Sequence, residues 1–122
     1  LSFIWPVKGP VTSWFGSREG QPHDGIDISA PKGTPVLAAE KGKVIYSDNG
    51  ISGYGNLIII QHSGGFHTVY GHNLRNRVDV DERVNKWQVI AEVGNTGRTS
   101  GYHLHFEMRK KERAVDPMDY LP

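Results

Sequence analysis

The apolar positions of this chain fall in short runs. Lys43-Val44-Ile45-Tyr46-Ser47 follows Gly42 and stops at Asp48-Asn49-Gly50. Leu57 to Gln61 is apolar and β-branched, Ser63-Gly64-Gly65 turns the chain, and Phe66 to Tyr70 returns. Runs of this length, rich in Val and Ile and bounded by Gly, Asn and Asp, predict strands, and the second and third predict a hairpin. Gln88 to Val93, ending at Gly94-Asn95, and Tyr102 to Arg109 predict two more strands, and Pro117 to Leu121 one short helical turn. Strands recurring this often with almost no helical periodicity predict an all-β fold, an antiparallel barrel or sandwich. There is no linker and no internal repeat, so residues 1–122 read as one domain.

Two segments alternate in a way that carries chemistry. His103-Leu104-His105-Phe106-Glu107 predicts a strand with His103, His105 and Glu107 on one face and Leu104 and Phe106 on the other. His23-Asp24-Gly25-Ile26-Asp27-Ile28 also reads as a strand, with positions 23, 25 and 27 sharing a face. Gly25 would leave open space between His23 and Asp27 for a metal and its water.

Composition narrows what these pairs can be. The chain has no cysteine, so disulfides, thiolate metal sites and cysteine nucleophiles are excluded, and a metal site must use His and carboxylates. A net charge of +1 gives no field that would draw the protein to nucleic acid or anionic lipid. Arg109, Lys110, Lys111 and Arg113 form a local basic run that reads as a solvated turn. No apolar run is long enough to cross a membrane, and Leu1 to Pro10 is not a signal peptide. The chain begins without Met, so it is expected to be the C-terminal part of a longer protein whose targeting signal lies upstream.

There are six histidines. A catalytic zinc takes three protein ligands and keeps one position open for water. His23, Asp27 and one of His103 and His105 supply such a set, with the metal-activated water as nucleophile. The imidazole that is not a ligand lies beside that water as a general base, and His72, ending the strand Thr68-Val69-Tyr70-Gly71, offers a second such group. Spacing alone does not choose between His103 and His105. His62 and His67 flank the Gly-Gly turn and read as structural or exposed. Ser29, Ser63 and Ser100 lack a nucleophile-elbow context, and the glycine loops Gly53-Tyr54-Gly55 and Gly94-Asn95-Thr96-Gly97 precede no helix, which argues against a phosphate cradle.

From Trp14-Phe15-Gly16-Ser17-Arg18 onward the sequence resembles the lysostaphin/LytM-type zinc metallopeptidases, peptidase family M23. The resemblance runs through His23-Asp24-Gly25-Ile26-Asp27, Gly33-Thr34-Pro35-Val36-Leu37-Ala38-Ala39, Gly42-Lys43-Val44, Gly53-Tyr54-Gly55-Asn56 and Tyr70-Gly71-His72. It closes with Gly94-Asn95-Thr96-Gly97, Gly101-Tyr102-His103-Leu104-His105-Phe106-Glu107 and Asp116-Pro117. It implies a small, mostly antiparallel β domain of the duplicated hybrid motif type, barrel- or sandwich-like, with a substrate groove across the sheet. It implies one zinc ion held by His23, Asp27 and His105, with His103 and His72 as the catalytic pair. His103 would take the proton of the water, His72 would steady the developing charge, and the two would titrate together. Arg18 is a weaker candidate for touching substrate, and Glu107 for orienting a ligand. The implied activity is endopeptidase cleavage of peptide cross-links in bacterial peptidoglycan by an extracytoplasmic, monomeric domain. The alternatives are a non-catalytic LytM-type activator of a cell-wall amidase, which fits poorly with five filled site positions, and a carrier or phosphotransfer barrel, suggested only by Gly33 to Val44.

Two positions depart from the family pattern. Asp81 and Trp87 stand where similar sequences have Gly. Their presence predicts a remodelled turn, with Asn85 left-handed and Trp87 packed on a neighbouring loop. The groove walls are expected near Trp14 to Gln21, Asp48 to Gly55 and Leu74 to Val84, and the short first wall favours a D-amino-acid stem cross-link over a glycine bridge.

Overall fold

The computed structural model describes residues 1–18 and 21–122, with the side chains of residues 17, 18 and 21 outside the description. The twelve strands, in chain order, are β1 (Val11–Ser13), β2 (Gly16–Arg18), β3 (Gln21–His23), β4 (Ile26–Ser29), β5 (Pro35–Leu37), β6 (Gly42–Asp48), β7 (Asn56–Gln61), β8 (Phe66–Asn76), β9 (Arg83–Val84), β10 (Val89–Val93), β11 (His103–Lys110) and β12 (Arg113–Val115). Single 3-10 turns at Ser63–Gly65 and Pro117–Asp119 are the helical elements of the described residues. The second is capped by Asp116, whose carboxylate accepts from the Met118 amide at 3.0 Å.

The pairing is antiparallel throughout and the sheet stays open, in the order β1-β4-β11-β8-β7-β6-β9. β10 joins as a branch, pairing both the far end of β8 and β5, while β2 and β3 form a separate hairpin. The predicted hairpin is β7-β8, but β8 runs six residues beyond the expected Tyr70. It does so by changing partner. Up to Gly71 it lies between β7 and β11, and from Asn73 to Asn76 it pairs β10.

Register explains the core. Leu104 sits opposite Ile28, Phe106 between Ile26 and Tyr70, and Met108 opposite Thr68. Tyr70 and Thr68 in turn face Ile58 and Ile60. All of these are buried, and the Tyr70 and Phe106 rings meet at 5.4 Å. Truncating a side chain packed like Phe106 costs about 3–5 kcal/mol.

One buried polar chain crosses this core. The Ala39 amide donates to the Tyr70 hydroxyl (3.0 Å), that hydroxyl to Thr68 Oγ1 (2.7 Å), and Thr68 to His62 Nε2 (2.7 Å). His62 Nδ1–H then donates to the Lys41 carbonyl at 2.6 Å. Every donor has one acceptor, so the direction is fixed and His62 is a neutral ring. Burial accordingly holds its pKa below the ordinary histidine value. The structural reading of His62 is the one the fold uses.

The Asp81 and Trp87 turns are not remodelled. Asp81 (φ 74°) and Trp87 (φ 76°) themselves take the left-handed backbone, and Asn85 does not. The turns are set by their surroundings: the Trp87 amide donates to Ala38 O at 3.1 Å and the Asp81 amide to Val44 O at 2.8 Å. Trp87 is also 62% exposed rather than packed on a neighbouring loop. A left-handed L-residue costs roughly 1–2 kcal/mol, against which glycine loses more chain entropy on folding. Trp87→Gly and Asp81→Gly are each expected to raise stability by roughly 0.5–1 kcal/mol in urea denaturation, with an unchanged m-value. A loss of stability in both would show that the side chains are held by contacts outweighing the strain.

Candidate active site

The segment read as one strand over residues 23–28 is two. β3 ends at His23, Asp24 and Gly25 bend the chain, and β4 begins at Ile26. Gly25 does not open space for a metal. A Cβ there would run into the Phe106 carbonyl and lie 2.9 Å from Glu107 Cγ, so its lack of a side chain lets the bend lie flat on β11. The bend brings His23 over Asp27 from a different strand direction. Pairing then puts Asp27 directly opposite His105, and His105 opposite Gly71. This row lies on the face of the sheet away from the core and floors a groove of about 570 Å³.

His23 Nδ1–H donates to the Trp14 carbonyl at 2.8 Å, which leaves Nε2 toward Asp27 Oδ2, 3.5 Å away. His105 is held at both nitrogens, Nδ1 by Asp27 Oδ1 and Nε2 by Glu107 Oε2, each at 2.8 Å. One donor atom from each of His23, Asp27 and His105 lies within 4.8 Å of the other two. His103 stands one pleat along, its Nε2 3.9 Å from Asp27 Oδ2 and 3.1 Å from Thr99 Oγ1. His72 completes the cluster, its ring 5.2 Å from that of His103 and 5.9 Å from that of His105.

His72 does not end a strand as expected. It is a left-handed residue (φ 63°) inside β8, at the point where β8 changes partners. Its amide donates to Tyr54 O at 2.8 Å and its Nδ1–H to Thr96 O at 2.7 Å. This bulge aims a side chain that regular alternation would place elsewhere.

Three contributors escape the sequence reading. Tyr54 donates to Glu107 Oε2 at 2.5 Å. Arg109, itself half-buried, holds the buried Glu107 Oε1 through Nε (2.9 Å) and its terminal nitrogen (2.8 Å), so it belongs to an ion pair rather than to a solvated turn. The signal for it is the alternation, which places 105, 107 and 109 on one face. The third is the wall formed by Arg98, Thr99 and Ser100, which faces the groove where Leu74 to Val84 was expected to. The Arg18 side chain lies outside the described residues.

The charges divide the five groups. Burial opposes ionisation of Asp27 and Glu107, yet the hydrogen bonds from His105 outweigh it and both carboxyls lie below the usual range. Burial also opposes charge on His105, but carboxylates at both nitrogens raise it from 6.5 to about 9. His72 and His103 lack such partners, and burial lowers both. Without metal, His105 is therefore an imidazolium between two carboxylates while His72 and His103 are neutral.

The model of peptidase family M23 matches residues 21–117. The chain belongs to peptidase family M23. Among solved structures, this M23 chain is similar to a zinc-containing peptidase from Vibrio cholerae, with TM-score 0.90 and 36% identity over 97% of this chain and 40% of that one. It is also similar to the catalytic domain of the antimicrobial peptidase lysostaphin from Staphylococcus simulans, with TM-score 0.79 and 30% identity over 93% of this chain and 91% of that one. Among curated proteins it is 45% identical to the lipoprotein NlpD/LppB homolog of Pseudomonas aeruginosa, over 98% of this chain and 40% of that protein. It is 44% identical to the murein hydrolase activator NlpD of Escherichia coli, over 97% of this chain and 31% of that protein. The chain thus spans less than half the length of these two curated relatives. Among the described residues no helix is long and apolar enough to cross a membrane.

The raised His105 value has a stability consequence with a definite sign. Its contribution to the metal-free M23 fold is complete below 6.5 and is lost as pH climbs through about 9. Proton NMR of the metal-free protein is expected to show one imidazole titrating near 9 and assigned to His105, with His72 and His103 titrating below 6.5. A His105 midpoint at or below 6.5 would contradict the two-carboxylate arrangement.

Proposed function

We propose that this M23 domain is a zinc-dependent endopeptidase that hydrolyses peptide cross-links of bacterial peptidoglycan in an extracytoplasmic compartment. The observation that carries the reading is the convergence of His23, Asp27 and His105 on one point, with two further histidines beside it in the same groove. The donor set suits zinc. It offers two imidazole nitrogens and a carboxylate oxygen, with open groove beyond them. His23 Nε2, an Asp27 carboxylate oxygen and His105 Nδ1 would hold zinc. His23 Nδ1–H on Trp14 O and His105 Nε2–H on Glu107 fix both ring orientations.

Zinc, when bound, makes a water acidic near neutral pH and draws electron density from the substrate carbonyl. The chain supplies the rest. One of His103 and His72, both kept neutral by burial, accepts the single proton that the attacking water gives up. With Nδ1–H committed to Thr96 O, His72 has only Nε2 to take a proton, and once protonated it presents Nε2–H to the carbonyl oxygen as that oxygen gains charge. The same proton can pass to the departing amine. Thr99 Oγ1 holds the His103 ring edge-on to His72 meanwhile.

The Escherichia coli relative named a murein hydrolase activator favours a second reading, in which the same groove switches on a separate wall hydrolase. The two are separated by purified protein on purified wall material. The endopeptidase reading expects release of peptide fragments by the protein alone, lost on chelation and restored by zinc. Absence of release with zinc demonstrably bound, together with stimulation of an added wall amidase, would establish the second.

Variants sharpen the assignments. His105→Ala is expected to lose zinc, measured by metal analysis, whereas His103→Ala keeps zinc and loses at least about a hundredfold in cleavage rate. Full zinc occupancy in the first, or full activity in the second, would overturn the corresponding role. Glu107→Gln should weaken zinc binding by about 10–100-fold in a chelator competition, since it removes the charge that steadies His105.

A further inference from the structure

The groove carries one feature that zinc ligation and proton transfer leave unused. Arg98 lines it, on the wall between β10 and β11. Among the described residues it is the one permanently cationic side chain that does so. The only acid lining the groove among those residues is Asp27, which three histidines already face. Arg98 is exposed, and no carboxylate of the described residues lies within ion-pairing distance of its guanidinium.

The backbone under it is pinned. The Arg98 amide donates to Gly53 O at 3.0 Å and the Thr96 amide to His72 O at 3.4 Å. Thr96 Oγ1 donates to Asn73 O at 2.7 Å and accepts from the Asn56 amide at 3.0 Å. Gly97 (φ 79°) packs so tightly on Gly55 that a Cβ on either would strike the other's loop. The wall is thereby tied to Thr96 O, the atom that holds His72. The backbone that carries Arg98 is therefore fixed beside the groove, and its guanidinium enters the groove from a defined point on the wall.

We infer that Arg98 recognises a free carboxylate on a residue flanking the scissile bond, so that the substrate is an acid-bearing stem peptide rather than a bridge of neutral residues. This rests on the endopeptidase reading for the word scissile, though not for the binding of the carboxylate. Guanidinium pairs with carboxylate through two parallel N–H···O bonds, and a glycine bridge has no group that could take its place. Ser100, two residues on from Arg98, lines the same groove with a hydroxyl that can complete the pairing.

The test is a two-by-two cycle. Two synthetic cross-linked peptides differ only in a carboxylate or a carboxamide on the flanking residue, and the zinc-loaded protein carries Arg98 or Arg98→Ala. Cleavage gives kcat/KM, and calorimetry in a His103→Ala background gives binding without turnover. The carboxylate peptide is expected to be preferred about tenfold by the Arg98 protein, with the preference abolished in Arg98→Ala and partly rescued in Arg98→Lys. The change should lie in KM rather than kcat. Equal losses for both peptides, no preference in the Arg98 protein, binding of neither peptide, or a preference that tracks Arg18→Ala instead would each overturn the inference. If the protein cuts neither peptide, the endopeptidase reading fails, and the calorimetric cycle still decides the role of Arg98.

Discussion

A carboxylate buried to 1% exposure must be paid for, and the groove is arranged around how Glu107 is satisfied. Its two oxygens have separate duties. Oε1 takes both contacts from Arg109, which neutralise it, and Oε2 takes Tyr54 and His105, which orient it. Removing any one partner leaves a charge or a donor stranded away from water. The imidazole of His105 is thus steadied by Tyr54 from the loop before β7 and by Arg109 at the far end of its own strand. Burial first, and then Glu107, raise the Tyr54 hydroxyl above its ordinary pKa, and Glu107 raises the Arg109 guanidinium, so each stays a donor at any working pH.

The same carboxylates set the charge along this row. Asp27 Oδ1 and Glu107 Oε2 hold His105 from either side, so its ring keeps a proton up to about pH 9. His72 and His103 have no carboxylate hydrogen-bonded to them among the described residues, and burial pushes both the other way.

Alternation is the part of the site that the sequence makes legible. His103, His105 and Glu107 share a face because β11 is a regular strand between two others, and Leu104 and Phe106 mark the opposite face by their character. The hairpin is legible because its turn is glycine-rich and its strands are β-branched. The rest depends on partners distant in the chain. The bend at Asp24 and Gly25 carries a local turn signal in its Asp-Gly pair, but the alternating Ile26 and Ile28 mask it, and the close approach to the Phe106 backbone that requires Gly25 is a tertiary contact. The β8 bulge arises from a change of neighbours at His72. The propensities of Asp81 and Trp87 mislead, because hydrogen bonds to Val44 and Ala38 decide their backbone. Arg109 hides in a basic run because its neighbours Lys110 and Lys111 are exposed and it is not.

The bulge at His72 also bears on how such a domain changes over generations. Asparagine and glycine occupy left-handed backbone more readily than histidine does. Histidine at this position is nonetheless buried and tied through Nδ1–H to Thr96 O, on the loop that also carries Arg98. A replacement that relaxes the backbone of residue 72 therefore strands that carbonyl and loosens the opposite wall, so bulge and wall can change only together.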